Sequence, residues 1–263
     1  MDNLFWLRQK PDKPLYADML WSRPENKRHA GKLLLVGGNV HGFAAAGEAY
    51  SEAIKAGIGT ARVLLPDSLQ KTVGRVFEAG EYAASTPSGS FSQKALAEFI
   101  DMASWSDGVL LAGDLARNSE TAILIEHFTE KYRGQLTFTK DAADYILSAP
   151  GPLMVRENTL LVLSFAQLQK LAVGARYTRA FTTDMDLLRL IDALHEFTTR
   201  YNLAIITRFH TTILVAFDGR ISTTPVPEQP LVWRLKTASH AAVWWLQHPA
   251  KTFEALTTSL IAN

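Results

Sequence analysis

Four clusters in the 263-residue sequence combine residue types that could do chemistry. Gly37-Gly38-Asn39 ends an apolar run, Lys32-Leu33-Leu34-Leu35-Val36. Glycines at a strand end let backbone approach a ligand, and the N-terminus of a following helix favours anions. A tight turn with no ligand would use the same pair. Asp114, in Ala112-Gly113-Asp114-Leu115, could bond a ligand hydroxyl or act as a base. It could also cap a helix near residue 121 or be a solvated loop acid, and this plainer reading is preferred. Asp141 and Asp144 follow an apolar run at 136–139 and could hold Mg²⁺ through waters. The first turn of a helix is the plainer place for them, because acids there oppose the macrodipole. Arg208, His210 and Thr212 alternate, so an extended segment would put them on one face. A cation, an imidazole and a hydroxyl together suit a phosphate; an exposed edge explains them as well.

The remaining motifs are negative. His127, His195 and His248 lie in amphipathic helical surroundings and read as structural or solvated. There is no His-Glu-x-x-His, Gly-x-Ser-x-Gly, phosphate-loop or Gly-x-Gly-x-x-Gly pattern. Trp233, Trp244 and Trp245 read as packing anchors, or as an interface if exposed. The absence of cysteine excludes disulfides, thiolate metal sites and cysteine nucleophiles. A net charge of +1 gives no electrostatic reason to expect nucleic acid or an anionic membrane as partner. The first residues lack the basic start and apolar stretch of a signal peptide, so a cytoplasmic, unanchored protein is expected.

Positioning these clusters requires strands alternating with helices. A hydrophobic content of 47% can bury a large core. Residues 1–30, with Pro11, Pro14 and Pro24, read as an irregular arm. Alanines at 45, 49, 53 and 56 mark a helix over 44–56 able to lie close on a sheet. Strands are expected at 32–36, 61–66, 107–113, 136–139, 160–163 and 204–207. Helices are expected at 93–103, 121–132, from 165, at 184–201, 234–248 and 250–262. Residues 85–92 read as a surface loop, and Asp218-Gly219 as the turn of a hairpin between 212–217 and 221–223. The sum is one α/β domain over 1–263, a three-layer α/β/α sandwich with a mainly parallel sheet and an antiparallel edge hairpin.

In that order, the motifs resemble the ribokinase-like superfamily, and within it the ADP/ATP-dependent NAD(P)H-hydrate dehydratases of the YjeF C-terminal domain type. Gly31 to Asn39 is similar to that family's opening strand and glycine turn, and Ala44 to Gly59 to its alanine-rich helix and Gly-x-Gly exit. Asp107–Leu115, Leu136–Ala143 and Ile205–Gly219 sit at its Gly-Pro-Gly-Leu, Leu-Asp-Ala-Asp-Ala-Leu and Lys-Gly-x-x-Thr segments. The resemblance covers about residues 23–262.

The departures are as informative. The family's late Gly-Gly-(Thr/Ser)-Gly-Asp loop holds phosphate charge on its amides and assists the hydroxyl with its aspartate. Here that register reads Arg234-Leu235-Lys236-Thr237-Ala238, with neither glycine nor acid. Ser164-Phe165-Ala166-Gln167 replaces the Thr-Pro-His-Pro-Gly-Glu segment, and Thr139 replaces the first aspartate of Asp-Ala-Asp while Asp141 remains. The family's phosphate-contacting lysine aligns with Arg208 and the following glycine with Phe209; Thr212 is kept.

The resemblance therefore implies a divergent dehydratase-like protein that lacks the family's catalytic loop, is catalytically impaired or inactive and retains at most nucleotide or dinucleotide binding, with Asp114 and Asp141 as the candidates for any remaining chemistry. Its ligand contacts would be Gly37, Gly38, Asn39, Ala45, Ala46, Asp114, Arg208 and Thr212. ATP or ADP, NAD(P)H or its hydrate, and Mg²⁺ are the implied cofactors, and a homo-oligomer the implied assembly. Two alternatives stand beside it: an active dehydratase or small-molecule kinase with a reorganised site, and a non-catalytic assembly subunit.

Overall fold

A computed structural model describes residues 4–75, 77–227 and 233–262. Its strands are Trp6–Arg8 (β1), Lys32–Gly37 (β2), Thr60–Pro66 (β3), Gly80–Ala83 (β4), Gly108–Gly113 (β5), Gln135–Thr139 (β6), Thr159–Leu163 (β7), Ala204–Phe209 (β8), Thr212–Phe217 (β9) and Arg220–Pro225 (β10). Its helices are Ala17–Trp21 (α1), Ala44–Lys55 (α2), Gln70–Val73 (α3), Leu96–Trp105 (α4), Ser119–Lys131 (α5), Lys140–Leu147 (α6), Gly151–Met154 (α7), Phe165–Gly174 (α8), Leu187–Arg200 (α9), Trp233–Gln247 (α10) and Thr252–Ser259 (α11).

The strands form a 10-stranded sheet in the order β1-β10-β9-β8-β7-β6-β5-β2-β3-β4. Pairing is parallel except for β9, which is antiparallel to both β8 and β10. Leu34 to Val36 of β2 and Leu160 to Val162 of β7 are 0% exposed because helices cover both sheet faces. One face packs under α4, α5, α6, α8 and α9. The other packs under α2, α10 and α11. This is the α/β/α sandwich that the alternating pattern predicts. On α2, Ala45, Ala46, Ala49 and Ala53 are buried, and their small side chains let the helix lie against the sheet. Asp218 and Gly219 close the β9–β10 turn with φ of 49° and 69°, the left-handed pair such a tight hairpin needs. No helix among the described residues is long and apolar enough to cross a membrane.

Three expectations are corrected. The arm at 1–30 is not wholly irregular: β1 pairs in parallel with β10, and Gln9 Nε2 reaches Thr224 Oγ1 at 3.1 Å. The arm therefore completes one sheet edge. Gly80–Ala83 adds an unforeseen strand at the other edge. Finally, β8 and β9 form a second tight hairpin, with His210 at a φ of 50°.

The two helices that later prove to flank the candidate site share a buried pair. His240 of α10 places Nε2 3.2 Å from Glu52 Oε2 of α2. Glu52 Oε1 also accepts from Lys55 Nζ at 2.6 Å. Burial holds the His240 pKa below its usual 6.5, outweighing the pull of Glu52. Burial works to raise the Glu52 pKa, but the bonds from Lys55 and His240 leave it below 4.5. Below about pH 6.5 the unfolded chain binds a proton that folded His240 resists, so stability falls as pH drops through that window. Glu52 adds a further loss as pH falls through its own lowered pKa. Urea melts should show stability falling between about pH 7.5 and 5.5, and His240→Gln should flatten that slope. An unchanged slope would show that His240 does not carry it.

Candidate functional site

The C-terminal ends of β2, β5, β6 and β7 bring several of the sequence candidates together. Gly37 and Gly38 follow β2 and are both buried. The β2–β5 register shifts between Val36 and Gly37, where Gly38 N–H donates to the Gly113 carbonyl at 3.0 Å. A Cβ on Gly37 would lie 2.5 Å from the Gly113 oxygen, and Gly38 has a φ of +92°. The close approach that demands glycine here is an approach to the chain's own backbone. Loop 85–92 lies over the turn, with Val40 N–H donating to the Gly89 carbonyl at 2.9 Å.

Asn39 is also committed internally. Its side-chain N–H donates to the Asp114 carbonyl at 2.6 Å, and its Oδ1 accepts from His41 N–H at 2.8 Å. Asp114 does cap a helix, but not the one near 121, whose cap is Asn118. Its Oδ2 accepts from the N–H of Ala45 at 2.7 Å, in the first turn of α2. Its Oδ1 faces Lys140 Nζ at 3.2 Å. A carboxylate of this chain thus sits where the start of α2 would favour a ligand anion. Ala45 and Ala46 are 1% and 0% exposed, which leaves no side-chain surface for a cofactor.

Asp141 occupies the first turn of α6, as preferred from its sequence. Its two oxygens accept from the N–H groups of Asp114 and Leu115 at 2.8 and 2.9 Å. Asp144 pairs with Lys170 at 3.6 Å. With both Asp141 oxygens bonded to backbone N–H groups, Asp141 and Asp144 do not offer Mg²⁺ a pair of free carboxylates, and no group of three or more metal-binding side chains occurs among the described residues. Asp114, Ala116 and Lys140 all have left-handed φ, between 51° and 58°. Each costs about 1 kcal/mol, and the surrounding bonds hold them there.

The network continues beyond the residues that sequence reasoning singled out. Gln167 Nε2 donates to the Lys140 carbonyl at 2.6 Å. Gln167 Oε1 accepts from Arg234, at the start of α10, at 2.9 Å. Ser164 and Gln167 form a capping box on α8. The Ser-x-x-Gln spacing is a readable signal for that box; Lys140 and Arg234 carry no motif. Side chains thus bridge the first turn of α2 to the first turn of α10. The register 234–238 lies within α10, whose first turn holds no acid.

Arg208, His210 and Thr212 do not share a face. His210 lies in the β8–β9 turn, so the segment is not extended. Arg208 pairs across from Ile213, and Phe209 from Thr212. Cross-strand partners point the same way, so Arg208 lies on the side of α2 and α10 and Thr212 on the other, with Phe209. Arg208 Nε donates to the His210 carbonyl at 2.7 Å. Arg208 lies on the sheet face that α10 covers, and Arg234 in the first turn of that 15-residue helix. Each carries a guanidinium, a group that suits a phosphate.

No family model matches the sequence, and no curated protein matches it. Solved structures do match in shape. A ribokinase-like superfamily protein from Enterococcus faecalis V583 superposes with a TM-score of 0.74 at 13% identity, covering 99% of this chain and 87% of that one. The ADP/ATP-dependent NAD(P)H-hydrate dehydratase from Bacillus subtilis, co-crystallised with ATP/Mg²⁺, gives 0.62 at 12% identity, over 94% and 86%. A phosphomethylpyrimidine kinase from Clostridium difficile 630 gives 0.53 at 8% identity, over 87% and 96%. These superpositions, over nearly the whole chain, show that it has the ribokinase-like fold.

Proposed function

We propose that this chain is a divergent NAD(P)H-hydrate dehydratase-like protein that binds a nucleotide and has lost phosphoryl transfer. One observation supports the second half: both candidate bases are already hydrogen-bonded within the fold. Asp114 is held by Ala45 N–H and Lys140, and Asp141 by two backbone N–H groups. Neither can take a proton from a substrate hydroxyl without giving up charge-assisted bonds. A basic, acid-free first turn on α10 supports the same reading. Nucleotide binding is supported by Arg208 and Arg234 and by the fold shared with a dehydratase crystallised with ATP.

A thermal-shift titration with ATP, ADP, NADH and NADPH tests the binding half. At ten times its Kd a ligand adds about 1.4 kcal/mol, or roughly 3–5 °C. At least one of the four should give such a shift at millimolar concentration, and Arg208→Ala with Arg234→Ala should abolish it. No shift from any of them would leave a structural subunit as the better reading.

A further inference from the structure

A glutamine at the third position of a helix ordinarily reaches back to the N-cap backbone and stops there. Gln167 makes that bond, its Oε1 accepting from Ser164 N–H at 3.1 Å, and then makes two more. Nε2 donates to the Lys140 carbonyl at 2.6 Å, and Oε1 also accepts from Arg234 Nη1 at 2.9 Å. The side chain is 7% exposed. Its orientation follows from its partners. A carbonyl only accepts and a guanidinium only donates, so the amide oxygen must face Arg234 and the amide nitrogen Lys140.

Both partners need holding. Arg234 is a long side chain in the first turn of α10, and a fixed acceptor removes part of its rotational freedom before any ligand arrives. That acceptor is a neutral amide, so it orients the guanidinium without cancelling its charge. At the other end, Lys140 has a left-handed φ of 51°, and its ammonium reaches Asp114 Oδ1 at 3.2 Å. One buried amide thus ties the turn after β6 to a side chain of α10.

We propose that Gln167 is a positioning residue, which holds the Arg234 guanidinium where a phosphate of the nucleotide meets it. The assignment rests on the nucleotide reading above and names the group that pre-sets one of its cations.

Calorimetric titration with ATP and with NADPH tests it. Gln167→Met keeps the length of the side chain but offers Arg234 no comparable acceptor, and should weaken the bound nucleotide about tenfold. Gln167→Glu keeps the capping box, in which glutamate serves as well as glutamine, so its helix should form normally. It should weaken binding at least as much, because its carboxylate pairs with Arg234 and cancels the charge. Arg234→Ala leaves Arg208 in place, and adding Gln167→Met to it should cost nothing further. That last readout separates positioning from mere support of the fold, which would act with or without Arg234. Parent-like affinity in Gln167→Met, or a tenfold loss that persists in the Arg234→Ala background, would overturn the proposal while leaving the nucleotide reading intact. A parent protein that binds neither ATP nor NADPH would end both.

Discussion

Arg156→Ala is expected to destabilise the fold by about 4 kcal/mol and to lower the melting temperature by roughly 10 °C. Arg156 is 2% exposed and has no carboxylate partner among the described residues. Its guanidinium donates instead to the carbonyls of Tyr132, Gly134, Glu157 and Asn158 and to the Thr159 hydroxyl. Those groups come from the end of α5, the entry to β6 and the entry to β7, so one side chain fastens three segments. Burial lowers its pKa to about 10, which still leaves it charged near neutral pH. Alanine would strand several buried carbonyls without donors, each costing about 1–3 kcal/mol before water enters. Arg156→Lys should recover little, because three donors on a compact ammonium cannot satisfy acceptors spread around a planar fork. Calorimetric melting of both variants checks this. A lysine variant as stable as the parent would show that charge alone suffices.

The second large effect belongs to the glycine turn. Gly37→Ala should destabilise the ligand-free protein by about 3 kcal/mol, measured by urea unfolding. The added Cβ would meet the Gly113 carbonyl oxygen at 2.5 Å and Ala46 Cβ at 3.3 Å. Backbone cannot yield as a flexible side chain can, so β2 and β5 must part where their register already shifts. Gly113→Ala should be at least as damaging: its φ is +110°, and its Cβ would lie 2.5 Å from Asp141 Oδ1. A Gly37→Ala protein with parent stability but weakened nucleotide binding would instead mean that the glycine is there for a ligand.

These two predictions also show what the sequence could reveal. The central strands are runs of Leu and Val buried on both faces, so β2, β5 and β7 are legible from composition alone. The alanine spacing of α2 and the Asp-Gly turn are legible for similarly local reasons. β1 is not: it has three residues, and its partner β10 lies more than two hundred positions away. β4, Gly-Glu-Tyr-Ala, has no apolar run because it is a half-exposed edge. The His210 turn lacks the glycine that would announce it, so the sequence alone suggests one face for Arg208 and Thr212. At the candidate site, Gly37, Asp114 and Asp141 were identifiable as residues, but their bonding was not. Ala45 and Asp114 are 69 positions apart, and Glu52 and His240 are 188 apart. Such pairings follow from how distant strands and helices are brought together in the fold, which no local pattern encodes.

On the proposed reading, Asp114 and Asp141 brace the fold and do no chemistry. The most direct test incubates the protein with ATP and hydrated NADPH, following ADP release together with recovery of the NADPH absorbance. The expected result is no ADP and no NADPH above the protein-free control, from a protein that a parallel titration shows to be nucleotide-bound. ADP release that matches NADPH recovery, and that disappears in Asp114→Asn, would contradict it.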